Sequence, residues 1–256
     1  MSAASASPSE VLVLVPARMA ASRFPGKPLA DINGSPMIVH VLRRAQAAGI
    51  GKVLVATDTP AIVAAVTVAG GQAVLTRADH ASGSDRIFEA ASIVDPKGRA
   101  QVVVNLQGDL PDIAPEAIRA VLTPLADPAV DISTIAAAIG NERQLIDPNI
   151  VKVGGDKVGP RHLRARYFVR GAPPTSEAGP YHHIGLYAFR RAVLEAFVKL
   201  SPSASEQRER LEQLRAIDAG MRIDVALVDA IPVSVDTPAD LDEARKVLRV
   251  SRPDLP

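Results

Sequence analysis

Cysteine and tryptophan are both absent from the 256 residues, and aromatic side chains of every kind make up only 3%. Without thiols there is no disulfide scaffold, no cysteine nucleophile and no thiolate metal site, so carboxylates and the five histidines are the candidate metal ligands. The lack of cysteine fits a reducing, cytoplasmic setting. Scarce aromatics remove the stacking platforms on which single-stranded nucleic acid binds. An excess of either charge is missing too. Lys and Arg number 29 against 28 Asp and Glu, for a formal net charge of +1, so no global field speaks for nucleic acid or an anionic membrane. The opening apolar run, "VLVLV" at residues 11–15, is too short to span a bilayer. The first nine residues, "MSAASASPS", have neither a cationic start nor an apolar core. They are expected to form a disordered tail rather than a signal peptide, with 251–256 a second tail.

What is present is a soluble, globular composition, 47% hydrophobic and 22% charged, long enough for one large α/β domain. Apolar runs of five or six residues alternate with helical patterns, which predicts a parallel sheet flanked by helices. Strands are expected at "VLVLV", "KVLVA", "AVLT" and "QVVVNL". Helices are expected after Ser35 (N-cap) and Pro36 (N1), from Pro60, and over "GSDRIFEAASIV". Beyond these the pattern changes. "DISTIAAAI", "NIVKV", "HLRARYFV" and "HIGLYAF" read as strands with little helix between them, predicting a mixed or antiparallel C-terminal portion. One helix is then expected over "SEQRERLEQLRAIDAG", followed by the strand "RIDVALV" and a last helix from Thr237. With no repeat and no linker rich in Pro, Gly or Ser, residues 10–250 are read as a single domain.

In open α/β sheets ligands gather at the carboxyl ends of strands, and three motifs sit there. The first is "PARMAASRFPGKPLADINGSPM", beginning at Pro16. It carries Arg18, Arg23 and Lys27 on a loop stiffened by Pro25 and Pro28, and residues 11–30 contain no acid at all. Such a loop suits a polyphosphate, gripped by Arg forks and a Lys point charge. It is not a Walker A loop, because Pro28 follows Lys27 where a hydroxyl is required. A solvated basic loop is the competing reading. The second and third motifs place Asp109 in "NLQGDLP" and Asp236 in "VSVDTPADL". Two carboxylates facing a phosphate loop point to Mg²⁺, which takes one or two carboxylates together with water and phosphate oxygens. "DTPAD" also reads as an ordinary helix cap.

Three further stretches carry polar side chains. "TRADHASGSDR", residues 76–86, mixes Arg77, His80, Ser82 and Gly83 on a loop able to read a base edge through backbone and hydroxyl groups, or else is a plain βα loop. In "HLRARYFVRG", strand alternation puts Arg164, Arg166 and Arg170 on one face, toward an anion or as the charged guard of an edge strand. In "YHHIGLY" the neighbours His182 and His183 face opposite ways, so at most one of them serves a site.

Taken together, "VPARMAASRFPGKPL", "TRADHASGSDR", "NLQGDLP", "HHIGLYAFR", "LEQLR" and "VDTPADL" resemble, in family order, the 3-deoxy-manno-octulosonate (Kdo) cytidylyltransferase family, the CMP-Kdo synthetases. The likeness runs from about residue 11 to 250. It implies a Rossmann-like nucleotidyltransferase fold of the GT-A type, a mostly parallel central sheet with a mixed C-terminal portion. It also implies the reaction CTP + Kdo → CMP-Kdo + diphosphate, serving lipopolysaccharide biosynthesis in the cytoplasm, with Mg²⁺ as cofactor and a homodimer as the working unit. By position, Arg18, Arg23 and Lys27 match the triphosphate-binding residues, and Arg77, Ser82, Gly83 and Gln107 the cytidine site. Asp109 and Asp236 match the Mg²⁺ ligands. Arg170, His183, Tyr187, Glu212 and Gln213 match the sugar-acid pocket, to which Gln107 also contributes. Arg18, Lys27, Asp109 and Asp236 are thus the expected catalytic group. Two departures stand out: Leu110 and Val169 occupy positions where many relatives have Glu and Ser. The alternatives are a cytidylyltransferase for another acidic sugar, such as sialic acid or 8-amino-Kdo, a non-catalytic sugar-nucleotide binder, and an interaction module.

Overall fold

The computed structural model describes residues 10–20 and 24–250. The two expected tails and Arg23 lie outside the described residues. In chain order the strands are β1 (Val11–Ala17), β2 (Asp31–Ile32), β3 (Ser35–Pro36), β4 (Lys52–Thr57), β5 (Ala73–Leu75), β6 (Val102–Leu106), β7 (Ile132–Ala138), β8 (Lys152–Gly159), β9 (His162–Val169), β10 (Ala178–Arg190) and β11 (Ile223–Val228). The α-helices are α1 (Met37–Ala48), α2 (Pro60–Val68), α3 (Gly83–Val94), α4 (Pro115–Ala120), α5 (Glu142–Ile146), α6 (Arg191–Phe197), α7 (Ala204–Glu209), α8 (Leu214–Asp218) and α9 (Pro238–Val250). No helix among the described residues is long and apolar enough to cross a membrane. Where the sequence reads as one domain over 10–250, the coordinates group into two compact units, 10–118 with 232–250, and 119–231.

The first unit is the parallel part. Its strands run in the order β5-β4-β1-β6, all parallel, with Val13 paired to Val53 on one side and Val104 on the other. A strand covered on both faces has no solvent side, which is why β1 reads as a continuous apolar run and is buried over Val11–Val15. Helix α1 buries Met37, Ile38, Val41, Leu42 and Ala45 among others, and Gly49 closes it at φ +65°. Its start differs from expectation. Asn33 and Gly34 both take positive φ, making a tight hairpin turn that pairs Ser35–Pro36 with Asp31–Ile32, so Pro36 becomes the N-cap residue and Ser35 stays in the ladder. The chain returns at α9, which packs Leu241, Ala244 and Leu248 with Val235 against Ile32 and Met37. That cluster lies under the opening loop and fixes both the loop and the segment carrying Asp236.

The second unit is mixed, as expected of the C-terminal portion. Its order is β10-β7-β11-β9-β8, with β7 and β11 parallel and the other pairs antiparallel, and β8 also pairs with β10. The five strands therefore close into a ring, which relieves them of exposed edges. Two expectations fail here. The β8–β9 register slips between Gly154, paired with Tyr167, and Gly155, paired with Ala165, leaving Arg166 as the extra residue of a bulge. The bulge breaks the alternation: Ala165 and Phe168 are both buried, while Arg166 turns outward to Asp156. Arg164, Arg166 and Arg170 thus do not form one arginine face. A Cβ on Gly155 would stand 1.9 Å from the Arg164 carbonyl oxygen, so the slip needs glycine there. The helix expected over 205–220 is broken as well. Arg210 sits at φ +55° and ends α7, and α8 begins only at Leu214.

Gly51, in the turn from α1 to β4, shows how tightly the parallel unit closes. A Cβ there would lie 2.2 Å from the Val11 carbonyl oxygen, and backbone cannot yield as a side chain can. Gly51→Ala is therefore expected to lose about 1–3 kcal/mol of stability in urea unfolding. The control is Gly171→Ala, where no atom lies within 4 Å; it should stay within about 0.5 kcal/mol of the parent. Equal effects at the two positions would contradict the close-approach account.

Candidate active site

The motifs with Arg18, Lys27, Ser82 and Asp109 fall at the carboxyl ends of strands of the first unit, and the returning segment before α9 adds Asp236. After β1 the loop is pinned by Gly26, whose N–H reaches the Met19 carbonyl at 3.0 Å with φ at +79°. A 3₁₀ turn at Lys27–Leu29 follows, closed by the Ala30 N–H donating to the Lys27 carbonyl. After β6, Gly108 lets the turn approach β1: a Cβ there would be 3.0 Å from the Pro16 carbonyl oxygen. The two ends meet at Lys27. Its ammonium donates to Asp109 Oδ2 at 3.0 Å and to Asp236 Oδ1 at 3.3 Å. The lysine side chain is 14% exposed, against 26% for Asp109 and 38% for Asp236. Backbone ties hold the carboxylates in place. The Val235 N–H donates to the Asp109 carbonyl at 3.0 Å, and the Val233 N–H to Asp112 Oδ1 at 2.9 Å. Burial pushes the Asp112 carboxyl above its ordinary range, and that hydrogen bond opposes the rise. Capping of α9 falls to Thr237 and Asp240, which bond reciprocally, so the Asp236 carboxylate is directed to Lys27.

One ammonium stands between two carboxylates at a cavity of about 300 Å³ that Arg18 and Arg86 also line. Of the expected residues, Arg18, Lys27, Ser82, Gly83, Gln107, Asp109 and Asp236 line it. Gln107 donates to Asn105 Oδ1 at 3.2 Å. Arg77 does not line it: its side chain is 68% exposed and paired with Asp79, while its backbone is gripped from α3. Phe24 and Arg86 do line it, and sequence reasoning missed both. The signal for Arg86 was its place four residues after the N-cap Ser82, on the same helical face. One turn further along α3, Glu89 accepts from the Arg77 N–H at 2.9 Å and meets His80 Nε2. Burial acts to raise the Glu89 carboxyl, but the His80 and Arg77 contacts outweigh it and hold the group below its ordinary range.

The residues present suit a hard divalent cation. The Lys27 charge already draws both carboxylates to one point, and all the donors are oxygens. Among the described residues no group of three or more His, Cys, Asp and Glu is placed to hold a metal ion, and this site offers two carboxylates. Two carboxylates are the complement Mg²⁺ uses when phosphate oxygens and water complete its shell.

The second unit holds the remaining expected residues. The ring of His183 packs edge-on to Phe168 at 5.0 Å and tilted to Tyr187 at 5.4 Å. Thr134 donates its hydroxyl to the Leu186 carbonyl at 2.7 Å, so it accepts from His183 Nε2–H at 2.9 Å, which assigns the tautomer. Burial, helped by the neighbouring His182, pushes the His183 pKa down to about 3, so the ring is neutral. Burial pushes the Tyr187 hydroxyl well above its ordinary range, and the Glu212 charge adds to the rise. Gln213 is buried beside Leu214 at the start of α8. Arg170 is held at three points: its N–H donates to Glu209 Oε2, Nε to the Glu209 carbonyl at 3.2 Å, and Nη1 to the Pro148 carbonyl at 3.3 Å. The fully buried Lys152 gives its three protons to the carbonyls of Asp147, Ile150 and Arg170. Neither Glu209 nor Lys152 was foreseen. In sequence a lone Lys in "NIVKV" looks like an edge-strand charge.

The family model for cytidylyltransferases matches residues 12–223. The 3-deoxy-manno-octulosonate cytidylyltransferase of Rhodopseudomonas palustris (strain BisB18) is 64% identical over 240 residues, 94% of this chain and 98% of the relative. The protein of the same name from Azorhizobium caulinodans is 64% identical over 242 residues, 94% of this chain and 97% of the relative. A solved CMP:2-keto-3-deoxy-manno-octonic acid synthetase, complexed with CTP, superposes with a TM-score of 0.85 at 41% identity, over 95% of this chain and all of that one. Apo UDP-glucose pyrophosphorylase shares the fold at 14% identity, with a TM-score of 0.67 over 94% of this chain and 98% of that one. The architecture is thus the expected α/β nucleotidyltransferase fold.

Neutral His183 has a consequence for stability. Below pH 6.5 the unfolded chain takes up a proton that the folded chain refuses until about pH 3. Stability should therefore fall as pH drops across that window, by about 1.4 kcal/mol per pH unit for this one proton. In urea unfolding at several pH values, His183→Gln is expected to show a shallower fall than the parent. Parallel curves would contradict the buried neutral imidazole.

Proposed function

Because the chain belongs to the cytidylyltransferase family, we propose that it condenses CTP with 3-deoxy-D-manno-octulosonate to give CMP-Kdo and diphosphate. The observation that carries this reading is the Lys27 ammonium shared by Asp109 and Asp236 in the cavity at the strand ends. Identity of 64% over nearly the whole length of relatives named for that sugar favours it over sialic acid, over 8-amino-Kdo and over a non-catalytic binder.

In the reaction the anomeric oxygen of the sugar attacks the α-phosphorus of CTP. An O–P bond forms as the bond to the diphosphate oxygen breaks, and the hydroxyl proton passes to solvent. The chain contributes chiefly positioning and charge. Arg18, Arg23 and Lys27 hold the triphosphate, and Lys27 offsets charge that builds on the leaving diphosphate. Ser82, Gly83 and Gln107, which line the cavity, orient the cytidine. Arg170 offers a cation to the sugar carboxylate, and His183, Tyr187, Glu212 and Gln213 offer hydrogen-bonding groups to its hydroxyls. Asp109 and Asp236 would hold Mg²⁺, which when bound lowers the pKa of the attacking hydroxyl and neutralises phosphate charge. A second ion on the triphosphate beside Lys27, a homodimeric working unit, a cytoplasmic setting and a role in lipopolysaccharide biosynthesis rest on the family resemblance.

Asp109→Asn is expected to abolish Mg²⁺-dependent diphosphate release while leaving the fold intact, because it removes a metal ligand. Near-normal release from that variant would reject the assignment. Lys27→Ala should cost on the order of a hundredfold in rate, the usual scale for one preorganised charge contact. A parent-like rate would return the opening loop to a solvated surface segment.

A further inference from the structure

Residues 77–81 belong to no helix and no strand, yet His80 at their far end and Ser82 just beyond them line the nucleotide cavity. A loop that reads a base through its backbone must hold its N–H and C=O groups within about half an ångström, and irregular backbone does not do this unaided. Here α3 supplies the rigidity from three successive levels of one face. At its first turn, Ser82 and Asp85 cap each other reciprocally. At the next level the Arg86 guanidinium, only 3% exposed, donates through Nη1 to Thr76 Oγ1 at 2.6 Å and to the Arg77 carbonyl at 3.2 Å. Through Nη2 it donates to Asp58 Oδ2 at 2.7 Å, beyond the end of β4. One turn on, Glu89 takes the Arg77 N–H at 2.9 Å and the His80 ring. Both polar groups of the Arg77 peptide backbone are therefore fixed by side chains of a single helix.

We infer that Arg86 and Glu89 are positioning residues that set the choice of nucleobase, by bracing the 76–80 loop so that its cavity-lining end, at His80 and next to Ser82, is held at the spacing that accepts cytosine and refuses uracil. The inference rests on the nucleotidyltransferase reading of this cavity. Cytosine and uracil differ in that N4–H₂ is a donor where O4 is an acceptor, and N3 accepts where N3–H donates. A rigid backbone presenting the matching groups leaves a buried polar group unpaired when the wrong base enters, which is the strong form of discrimination. A loosened loop re-pairs with either base. The triphosphate contacts come from the opening loop, so loosening 76–80 should erode base choice far more than phosphate affinity.

The test is equilibrium binding of CTP and of UTP by calorimetry, without sugar, to the parent chain and to Glu89→Ala, Glu89→Gln and Arg86→Lys. Glu89 is partly exposed on α3, so its variants are expected to fold even if Arg86→Lys does not, and thermal melts check each one. The parent should prefer CTP. Glu89→Ala should lose tenfold or more of that preference while UTP affinity changes by less than threefold. Glu89→Gln, whose amide oxygen still accepts from the Arg77 N–H, should recover part of the loss. The inference is overturned if the parent shows no preference, if both nucleotides weaken equally, or if the ratio is unchanged in Glu89→Ala. Turnover with CTP and the sugar acid, measured separately on the parent, decides the functional reading independently of these ratios.

Discussion

Two strand ends and a returning segment converge on a single positive charge. The Lys27 ammonium, within 3.3 Å of both Asp109 and Asp236, joins the loop after β1, the turn after β6 and the segment that precedes α9. Much of the first unit can be understood as the means of bringing these three stretches together. Gly26 takes a positive φ that other residues rarely adopt, and at Gly108 a Cβ would crowd the Pro16 carbonyl. The cluster of Ile32, Met37, Val235 and Leu241 draws the far end of the chain beneath the loop. Three charges of unlike sign at partial burial form a poised arrangement. At Lys27 itself two carboxylates meet one ammonium, so a divalent cation would find ligands there and an incoming triphosphate would offer the lysine new partners.

The same unit shows division of labour around one cavity. The opening loop carries cations, Arg18 and Lys27, suited to phosphate, a ligand that tolerates some freedom of geometry. The loop at 76–82, of which His80 and Ser82 line the cavity, is instead braced by side chains of α3. The second unit follows a third rule. Its polar residues sit among Phe168, Phe189 and Phe197, and burial keeps His183 and Tyr187 neutral, so they serve as hydrogen-bonding groups rather than as acids or bases. That suits a hydroxylated ligand, whose recognition needs fixed donors and acceptors more than charge.

What could be read from the sequence follows from how local each signal is. β1, β4 and β6 were legible because a strand buried on both faces must be continuously apolar, and α3 because its cap and its stripe agree. Lys27, Asp109 and Asp236 were legible as types, cations and acids at strand ends, and family order linked them. The bulge at Arg166 was not. It depends on Gly155 meeting the Arg164 backbone across the β8–β9 pair, a contact between strands that alternation along one strand cannot reveal. The break at Arg210 was hidden because an arginine in a charged helical pattern gives no hint of a left-handed conformation. Arg86, Glu89 and Lys152 were passed over for a common reason. Each is a charged residue whose partners are mostly backbone groups or lie on other elements, and composition reads such residues as solvated.

The central claim is that the point now held by Lys27 is where a divalent cation docks when nucleotide arrives, with the lysine passing to the phosphates. Anomalous diffraction from crystals grown with Mn²⁺ and CTP tests it most directly. The account predicts a manganese peak within bonding distance of both Asp109 and Asp236, and Lys27 Nζ moved onto a phosphate oxygen. A peak remote from either carboxylate, with Lys27 still bridging the pair, would contradict it.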